Sequence, residues 1–410
     1  MKSHSAYLPA MKYMTVFLLL IGSLFVQGQS LKSGKWSGEI TYQKHKVPFQ
    51  FEVNNTGGDT PEIIFINGRE RRSVKNATIV GDSIFIPLDP FDVSIRAKFG
   101  AMSLSGEYVK HYRNAKMSLN AAFGGVRFAK SSTKTNVSVE ERWKMTFSPD
   151  TPSMSDGVGL FKQMGDKVIG TVMSETSDYR YFEGIVDGDS LKLSSFDGAH
   201  AFMILGKKTG SDWSGKIVFD NTYSEPWSAN PDPDAELVDP FKLVKVDRGT
   251  HKPYYDLLGA GSGKGSVDPS KYEGKVLIVQ LFGTWCPNSH DQTRYLVDWY
   301  KKNEAKNIAI LASSYEANYS KEYGLRRLEE YRKTNSIPYD LVLGGRLSKT
   351  GAATPLPFIE RIKAFPTLVI VDKEGYARYV HSYFNGPATG EYYKVFDEKF
   401  NQIIDELLAE

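Results

Sequence analysis

The sequence predicts an α+β protein of several domains, with an N-terminal all-β repeat region followed by a C-terminal α/β domain. The chain has 410 residues, which is enough for two or three domains, and 41% of them are hydrophobic. Between residues 31 and 245, short alternating apolar runs are separated by Gly, Asn and Asp, the pattern of strands and turns. From residue 251 onward, strand-like and helix-like runs alternate, which indicates an α/β domain.

The N-terminal residues 1–28 have the pattern of a signal peptide. Lys12 supplies a positive charge, the apolar run 14–26 is too short to span a bilayer comfortably, and Gly28 precedes a plausible cleavage point. No cysteine directly follows the apolar run, which excludes a lipid-anchored lipoprotein. We therefore predict export to the periplasm or cell envelope, with an uncleaved N-terminal anchor as the alternative.

The all-β region is predicted to hold two similar units, a first β unit at 31–135 and a second β unit at 140–245. Two sequence markers recur at the same spacing, which suggests duplication of a domain-sized unit. The paired markers are Trp36 with Trp143 and Gly81-Asp82-Ser83 with Gly188-Asp189-Ser190. We expect each unit to be a small antiparallel sandwich or barrel, and the residues from 131 to 141 to join them.

Two tracts of the second unit carry polar and aromatic side chains. The tract 176–184 and the tract 196–201, which contains Asp197 and His200, favour either a docking surface or ordinary hairpins with aromatic core residues. The proline-rich tract 226–240 that follows is predicted to be an extended connector, neither helix nor central strand.

The C-terminal domain, at 251–410, is predicted to follow the order strand, helix, strand, helix, short strand, helix, hairpin, helix. The predicted strands are 276–282, 307–312, 338–343, 365–372 and 376–381, and the predicted helices are 287–304, 320–334, 357–363 and one that starts near 389.

Cys286 is the only cysteine of the chain, and it stands between the first of these strands and the first helix. Pro287 occupies the first helical position, where proline is favoured because its missing N–H is not needed. Unpaired N–H groups and the positive end of the helix dipole stabilise a thiolate at such a position. The sequence therefore predicts a lowered pKa for the Cys286 thiol, with an inert buried cysteine as the alternative.

A strand followed by Trp285-Cys286-Pro287-Asn288-Ser289 and a helix resembles the active-site region of the thioredoxin fold. The sequence is most similar to TlpA-like, AhpC/TSA-type thiol–disulfide oxidoreductases of bacterial envelopes, of the kind typical of Bacteroidetes. This resemblance implies a C-terminal thioredoxin-like domain with Cys286 as its nucleophile. The family pattern is Trp-Cys-x-x-Cys, and Ser289 stands where the second cysteine belongs.

The resemblance also implies a substrate-binding groove and a set of supporting residues. The residues expected at the groove are Trp285, Pro287, Phe365 and Pro366, with a cis peptide bond before Pro366. Ser289, Gln280 and Gln292 are the expected supporting residues. Family members often have acidic residues where this chain has the two glutamines, and an amide cannot relay a proton.

Two hypotheses of different classes follow. In the first, Cys286 exchanges with protein or peptide thiols and disulfides by a monothiol route, and an external reductant thiol completes the cycle. In the second, the domain is redox-inactive and docks or covalently holds partner chains. A peroxiredoxin is a weaker alternative, because Gly283 stands where a peroxiredoxin has a threonine. An engineered Cys-to-Ser substitution at Ser289, made to trap partners, is a further alternative. The additional loss of a carboxylate at Gln292 argues for natural divergence instead.

The net charge and the cysteine and histidine content restrict the kinds of partner and metal site that the chain can be expected to have. The net charge of +3 is too small to argue for a nucleic acid partner. A single cysteine excludes an intramolecular disulfide and a cysteine-cluster metal site, and the seven scattered histidines give no metal-binding pair. We predict neither a metal nor a cofactor.

Overall fold

The computed structural model describes most of the chain from residue 30 onward. The described ranges are 30–55, 57–130, 137–139, 141–219, 224–247, 252–255, 258–261, 267–318, 320–359 and 361–410. The predicted signal peptide and much of the predicted joint between the β units lie outside the described residues.

The first β unit is one sheet of nine antiparallel strands. Its strands are β1 (Gly34–Tyr42), β2 (His45–Asn54), β3 (Glu62–Asn67), β4 (Glu70–Val74), β5 (Thr78–Val80), β6 (Ser83–Pro87), β7 (Val93–Phe99), β8 (Ser103–Lys110) and β9 (Ala115–Phe123). Their order in the sheet is β4-β3-β2-β1-β9-β8-β7-β6-β5. No pairing joins β4 to β5 among the described residues, so this sheet is an open half-barrel.

The second β unit also has nine antiparallel strands. They are β10 (Arg142–Phe147), β11 (Ser155–Met164), β12 (Lys167–Ser174), β13 (Ser177–Asp178), β14 (Phe182–Asp187), β15 (Ser190–Phe196), β16 (Ala201–Thr209), β17 (Asp212–Phe219) and β18 (Ser224–Pro231). Their order is β11-β10-β18-β17-β16-β15-β14-β12-β13, and an additional β11–β12 pairing closes the sheet into a barrel.

The two units share one topology. In each, the first strand lies between the second and the ninth, and the sixth to ninth strands follow one another as a meander. The repeated tryptophans occupy equivalent places, because Trp36 of β1 pairs with Phe123 of β9 and Trp143 of β10 pairs with Pro231 of β18. Both indoles are fully buried. The difference is that β14 pairs with β12 in the second unit, whereas β5 has no such partner in the first.

The prediction of an extended connector at 226–240 is wrong at its start, because β18 pairs with β17 on one side and β10 on the other. Pro226 is aligned only with β17, and Pro231 is aligned only with β10. Each proline therefore lies where the strand has a single neighbour, and its missing N–H disrupts no second ladder.

The C-terminal domain has a six-stranded sheet with four α-helices. Its elements are β19 (Ala260–Gly261), β20 (Val276–Phe282), α1 (Pro287–Asn303), β21 (Ile308–Glu316), α2 (Lys321–Asn335), β22 (Asp340–Arg346), α3 (Lys349–Ala353), β23 (Thr367–Val371), β24 (Ala377–His381) and α4 (Glu391–Ala409). The strand order is β19-β22-β21-β20-β23-β24. Strands β20, β21 and β22 are parallel, and the other three are antiparallel to their neighbours.

The predicted α+β class is wrong for the molecule as a whole, which is mostly β, with 45% strand and 19% helix. Two nine-stranded units contribute most of this strand content. The expected α/β domain itself has a mixed sheet. Parallel neighbours need a long crossover, usually a helix, whereas β23 and β24 are joined by a short hairpin.

The described residues of 357–363 form no helix, and among the described residues the only α-helix between β22 and β23 is the short α3. The chain after Pro357 instead pairs its backbone with the connector that leaves the second β unit. Val246 and Ile359 form an isolated bridge, and the Asp247 N–H donates to the Phe358 carbonyl at 3.0 Å. Phe358, Ile359 and Ile362 of this segment are buried.

The second β unit completes the core of the first. The ring centroid of Phe196 lies 5.0 Å from that of Phe49 and 5.1 Å from that of Phe65. The Asn67 side chain donates to the Phe196 carbonyl at 2.8 Å and accepts from the Phe196 N–H at 3.0 Å. Phe196 therefore fills the concave face that the open sheet leaves uncovered.

No helix in the described ranges has both the length and the apolar character needed to cross a membrane.

Candidate functional site

Cys286 lies at the turn between β20 and α1. Its backbone is extended, with φ −102° and ψ 117°, and it is the residue that caps the helix before Pro287. The Cys286 N–H donates to the Gly283 carbonyl at 3.1 Å, and the His290 N–H donates to the Cys286 carbonyl at 3.0 Å. These bonds fix the backbone of the cysteine against the first turn of α1.

The thiol of Cys286 is buried, with only 7% of the residue exposed. It donates to the Phe365 carbonyl, with 3.7 Å between Sγ and O. Burial raises the pKa of the thiol, because a thiolate loses solvation in this environment. The prediction of a lowered pKa is therefore wrong in direction. The stabilising groups at the helix N-terminus are present, but the loss of solvation outweighs them.

Ser289, in the position of the missing second cysteine, is fully buried. Its hydroxyl accepts from the Gly283 N–H at 3.4 Å. Its side chain and N–H, together with the Asn288 N–H, act to lower the pKa of the Cys286 thiol against the effect of burial. Ser289 thus faces the sulfur, as the sequence position implies.

Of the four residues expected at the groove, Phe365 contacts the thiol, and Trp285 and Pro287 are the chain neighbours of Cys286. The Phe365–Pro366 peptide bond is cis, and both residues are buried. Trp285 is half-buried, and its indole N–H donates to the Tyr315 carbonyl at 3.0 Å. Pro287 is buried at the start of α1. The Phe365 carbonyl already accepts the thiol hydrogen bond in this state.

Gln280 and Gln292 form a buried pair below the site. The Gln280 amide donates to the Gln292 carbonyl oxygen at 3.1 Å and to the Thr293 hydroxyl at 3.2 Å. Both glutamines are completely buried. The pair is joined by one neutral hydrogen bond, and the Gln292 Nε2 has no hydrogen-bond partner among the described residues, whereas a carboxylate here would have to be desolvated.

Part of the second β unit covers the edge of the C-terminal domain beside the thiol. The Asn288 side chain donates to the Asp178 carbonyl at 3.1 Å, and the Gly386 N–H donates to the Asp178 carboxylate at 2.7 Å. Burial raises the pKa of Asp178. These contacts hold the loop that follows β13 on the first turn of α1.

Arg180 is the charged centre of this interface. Its guanidinium bonds the Glu70 carboxylate at 2.5 Å and also bonds the Asp291 carboxylate. Its Nε lies 4.0 Å from the Asp197 carboxylate. Arg180 is 5% exposed, so one cation joins the first unit, the second unit and α1 in a buried cluster. Three carboxylates in contact with one guanidinium stabilise its charge without water.

Asp197 and His200 lie in the turn between β15 and β16, close to the thiol. The Asp197 carboxylate is 3.3 Å from His200 Nδ1, and it accepts from the His200 N–H at 2.7 Å. The His200 and Arg180 side chains hold the pKa of Asp197 well below its usual range. Its negative charge acts to raise the pKa of Cys286. Sequence reasoning left this tract open between a docking surface and a hairpin, and it is a turn at the site.

Asp178 and Arg180 lie in the tract 176–184, which the sequence left open between a docking surface and a hairpin, and Glu316 is a site residue that the sequence reasoning did not single out. The Thr284 hydroxyl donates to Glu316 at 2.8 Å, and burial raises the pKa of this glutamate. Arg180 has a positive φ of 58°, and its N–H donates to the Asp178 side chain at 2.8 Å. An Asp two residues before a left-handed residue is a turn signal, but it gives no indication of the distant partner.

The first β unit contacts the domain on another side. The Arg327 guanidinium donates to the Pro90 carbonyl, and the Tyr323 hydroxyl donates to the Asp92 carboxylate. The loop between β6 and β7 thereby docks on α2. His290 of α1 also faces this unit, and burial together with nearby arginines lowers its pKa.

A cavity of about 500 Å³ opens beside the thiol, between the second β unit and the C-terminal domain. We call it the thiol cavity, and the residues that define it are Cys286, Trp285, Phe365, Arg180, Phe202 and Lys349. Within the described part of the chain, no three His, Cys, Asp or Glu residues are grouped as a metal site.

A family comparison agrees with this geometry. Residues 249–380 match the model of the AhpC/TSA family. This segment is an AhpC/TSA domain with a thioredoxin fold. Cys286, its flanking residues and Pro366 all lie within the matched segment of the AhpC/TSA domain.

Curated relatives share part of the chain. The thiol–disulfide oxidoreductase ResA of Bacillus thuringiensis subsp. konkukian is 24% identical over 140 residues, which are 33% of this chain and 69% of the relative. The protein of the same name from Bacillus cereus gives the same values. The larger share of this chain lies outside that similarity.

Solved structures are similar over comparable lengths. A thiol:disulfide interchange protein of the thioredoxin family from Chlorobium tepidum is 20% identical, covers 37% of this chain and 91% of its own, and has a TM-score of 0.28. A secreted thiol–disulfide isomerase from Corynebacterium glutamicum is 15% identical, covers 44% of this chain and 96% of its own, and has a TM-score of 0.30.

Proposed function

We propose that the AhpC/TSA domain carries out thiol–disulfide exchange with Cys286 as its single nucleophile. The observation that supports this most directly is the position of the Cys286 sulfur, at the N-terminus of α1 and on the wall of the thiol cavity. Trp285, Pro287, Phe365 and Pro366 would form the surface that holds the sulfur-bearing partner. The names of the relatives, thiol–disulfide oxidoreductases among them, agree with this activity.

The exchange has two balanced steps. The Cys286 thiolate attacks one sulfur of a disulfide, forms a mixed disulfide and releases the other half as a thiolate. A second, external thiolate then attacks the mixed disulfide, takes up the retained half as a new disulfide and restores the Cys286 thiolate. Ser289 cannot provide the second step internally, because its oxygen is not a thiol.

A second candidate function is a redox-inactive module that docks or covalently holds partner chains. The burial of Cys286 and the raised pKa of its thiol favour it, because the thiol form predominates at neutral pH and the thiol is a poor nucleophile. The buried neutral pair of Gln280 and Gln292 favours it too, because neither amide can relay a proton.

The proposal also covers the domain organisation of the chain and its location relative to the cytoplasm. We propose a signal peptide at 1–28, β units at 31–135 and 140–245, and the thioredoxin-like domain at 251–410. The secreted isomerase among the similar structures supports an extracytoplasmic location. In such a compartment, protein or peptide thiols and disulfides are the expected partners, and a reductant thiol is the expected second substrate.

The test uses the full chain and hydroxyethyl disulfide. We expect a mixed disulfide on Cys286, visible as one mass adduct, and faster exchange between hydroxyethyl disulfide and added dithiothreitol than without protein. A Cys286→Ser variant should lose both effects. An adduct without accelerated exchange would support the second candidate function, the redox-inactive module that holds partner chains. No adduct until the protein is unfolded would contradict the exchange function.

A Ser289→Cys variant sharpens the test. The new thiol would lie beside Cys286 and supply the resolving step, so the mixed disulfide should decay without added thiol and leave an internal disulfide. A Ser270→Cys variant, with its thiol on an exposed turn away from the cavity, is the matched control and should not resolve the adduct.

A further inference from the structure

The thiol cavity is enclosed on one side by the second β unit, which restricts what can reach Cys286. The loop at 178–180 holds the edge beside α1 through the bonds of Asp178 to Asn288 and Gly386. The Phe365 carbonyl, where an extended chain would pair, already accepts the thiol hydrogen bond. A volume of about 500 Å³ lies within the range of small-molecule pockets.

The walls of the cavity differ in chemistry. Tyr179 and Phe202 supply an apolar wall, with their ring centroids 5.7 Å apart in an edge-to-face contact. Arg180 is buried and lines the cavity, and its Nε–H has no hydrogen-bond partner among the described residues. The charge of this guanidinium is balanced in part by the Asp197 carboxylate, which lies 4.0 Å from Nε.

Charged side chains of both signs line the cavity, and the acidic ones are Asp178 and Asp197. Lys349 and Lys363 both line it, and Arg361 lies close enough to affect Lys349 electrostatically. The Lys363 ammonium is paired with Glu175 at 2.8 Å. Partial burial, and after it the charges of Arg361 and Lys363, lower the pKa of Lys349. A ligand anion would relieve this repulsion.

We propose that the thiol cavity is a site for low-molecular-mass disulfides that carry a carboxylate, bound with the carboxylate toward Lys349 and one sulfur at Cys286. This inference rests on the proposed function and specifies its substrate class. The Cys286 thiolate would take one half of the small disulfide and release the other half as a thiolate. An external thiolate would then remove the retained half as a new disulfide. The second β unit would thereby act as a specificity element.

The experiment compares three disulfides of similar size on the full chain. The probes are dithiodipropionate, hydroxyethyl disulfide and cystamine, which are anionic, neutral and cationic. The rate of mixed-disulfide formation at Cys286 is followed by intact mass and divided by the rate of each probe with a cysteine-containing peptide. We expect the anionic probe to exceed the neutral one by about tenfold and the cationic probe to be slowest, because the Lys349 ammonium attracts a carboxylate and repels an ammonium group.

A variant locates the origin of this preference. Lys349→Ala should reduce the ratio between the anionic and neutral probes to about twofold, whereas Lys301→Ala, on an exposed position of α1, should keep the full ratio. A longer flexible peptide carrying thiopropionate as a mixed disulfide should react about tenfold more slowly than dithiodipropionate, because the cavity excludes its chain.

The outcomes separate the two proposals. Equal normalised rates for the three probes, a faster cationic probe, or an equally fast long peptide would overturn the small anionic substrate class and leave the exchange function intact. An anion preference that Lys349→Ala does not change would overturn the assigned orientation. Failure of all three probes to form an adduct would overturn both proposals.

Discussion

The two β units share most of their strand order but have different roles in the molecule. In the first unit, β5 is a short edge strand whose Val80 is 79% exposed, and the sheet remains open. In the second, β14 pairs with both β12 and β15, and the β11–β12 pairing closes the barrel. The closed unit has its own core, so its end loops are available for contacts elsewhere. The open unit depends on its neighbour.

This difference shows how a duplicated unit can acquire a function at a distance. One end of β15 contributes Phe196 to the first unit, and the next residue, Asp197, lies near the thiol. Arg180 contacts both the first unit and α1. The second unit therefore links the stability of the open sheet to the environment of Cys286, whereas the first unit contacts the AhpC/TSA domain mainly through α2 and His290.

The largest expected effect comes from removing the side chain that completes the open sheet. Phe196→Ala should lower the free energy of unfolding by about 3–5 kcal/mol, because it leaves a cavity among buried rings. Urea denaturation measures this loss, and Phe85→Ala, at a position that is 38% exposed on the first unit, is the control. A loss below about 1 kcal/mol would show that the first unit does not need its neighbour.

Removal of the central cation should have the next largest effect. Arg180→Met keeps much of the aliphatic volume but leaves Glu70, Asp197 and Asp291 without their shared partner, so we expect a loss of about 3 kcal/mol. Alkylation of Cys286 in the native protein should also become faster as the second unit loosens.

The control for the Arg180 variant is Lys207→Met, which breaks an exposed pair with Asp189 and should change stability by less than about 0.5 kcal/mol. If the Arg180 variant kept full stability and slow alkylation, the charged cluster would not hold the second unit on the domain.

Loss of the contact between the first unit and α2 should have a smaller effect on the free energy of unfolding. Tyr323→Phe removes one hydrogen bond to Asp92 and should cost about 1 kcal/mol in urea denaturation, without changing the alkylation rate of Cys286. Tyr254→Phe, whose ring is 48% exposed, is the matched control. A change in thiol reactivity would mean that both units, and not only the second, control the site.

The smallest expected effect is a change in the pKa and alkylation rate of the Cys286 thiol. Because the pKa of Cys286 is raised, its thiolate fraction is small at pH 7 and alkylation should accelerate as pH rises through that pKa. Asp197→Asn removes a charge that opposes the thiolate, so the pKa should fall and alkylation at pH 7 should be roughly threefold faster. The rates should converge at high pH.

For this variant, Asp189→Asn removes a charge from the same unit at an exposed position and should leave the profile unchanged. Identical pH profiles for Asp197→Asn and the unsubstituted protein would show that burial alone, without the charge of the second unit, sets the thiol pKa.

The sequence by itself determined the local features of this protein. A β-branched run, Cys286-Pro287 and an amphipathic run specify strand, turn and helix α1, because propensity and periodicity act over a few residues. The repeated tryptophans indicate the shared topology of the β units, because they recur at the same spacing as a second sequence marker. The positions of Ser289, Phe365 and Pro366 around the thiol follow from the family pattern.

Only the tertiary structure decided the environment of the site. Whether a helix N-terminus lowers the pKa of a thiol depends on solvation, and the desolvation of Cys286 comes from its burial, to which segments far apart in the chain contribute. The pairing of Gln280 with Gln292, the cluster around Arg180 and the closure of one β unit but not the other depend on contacts between distant residues. No short pattern encodes those contacts, because each is decided by which surfaces remain unburied after the local elements have formed.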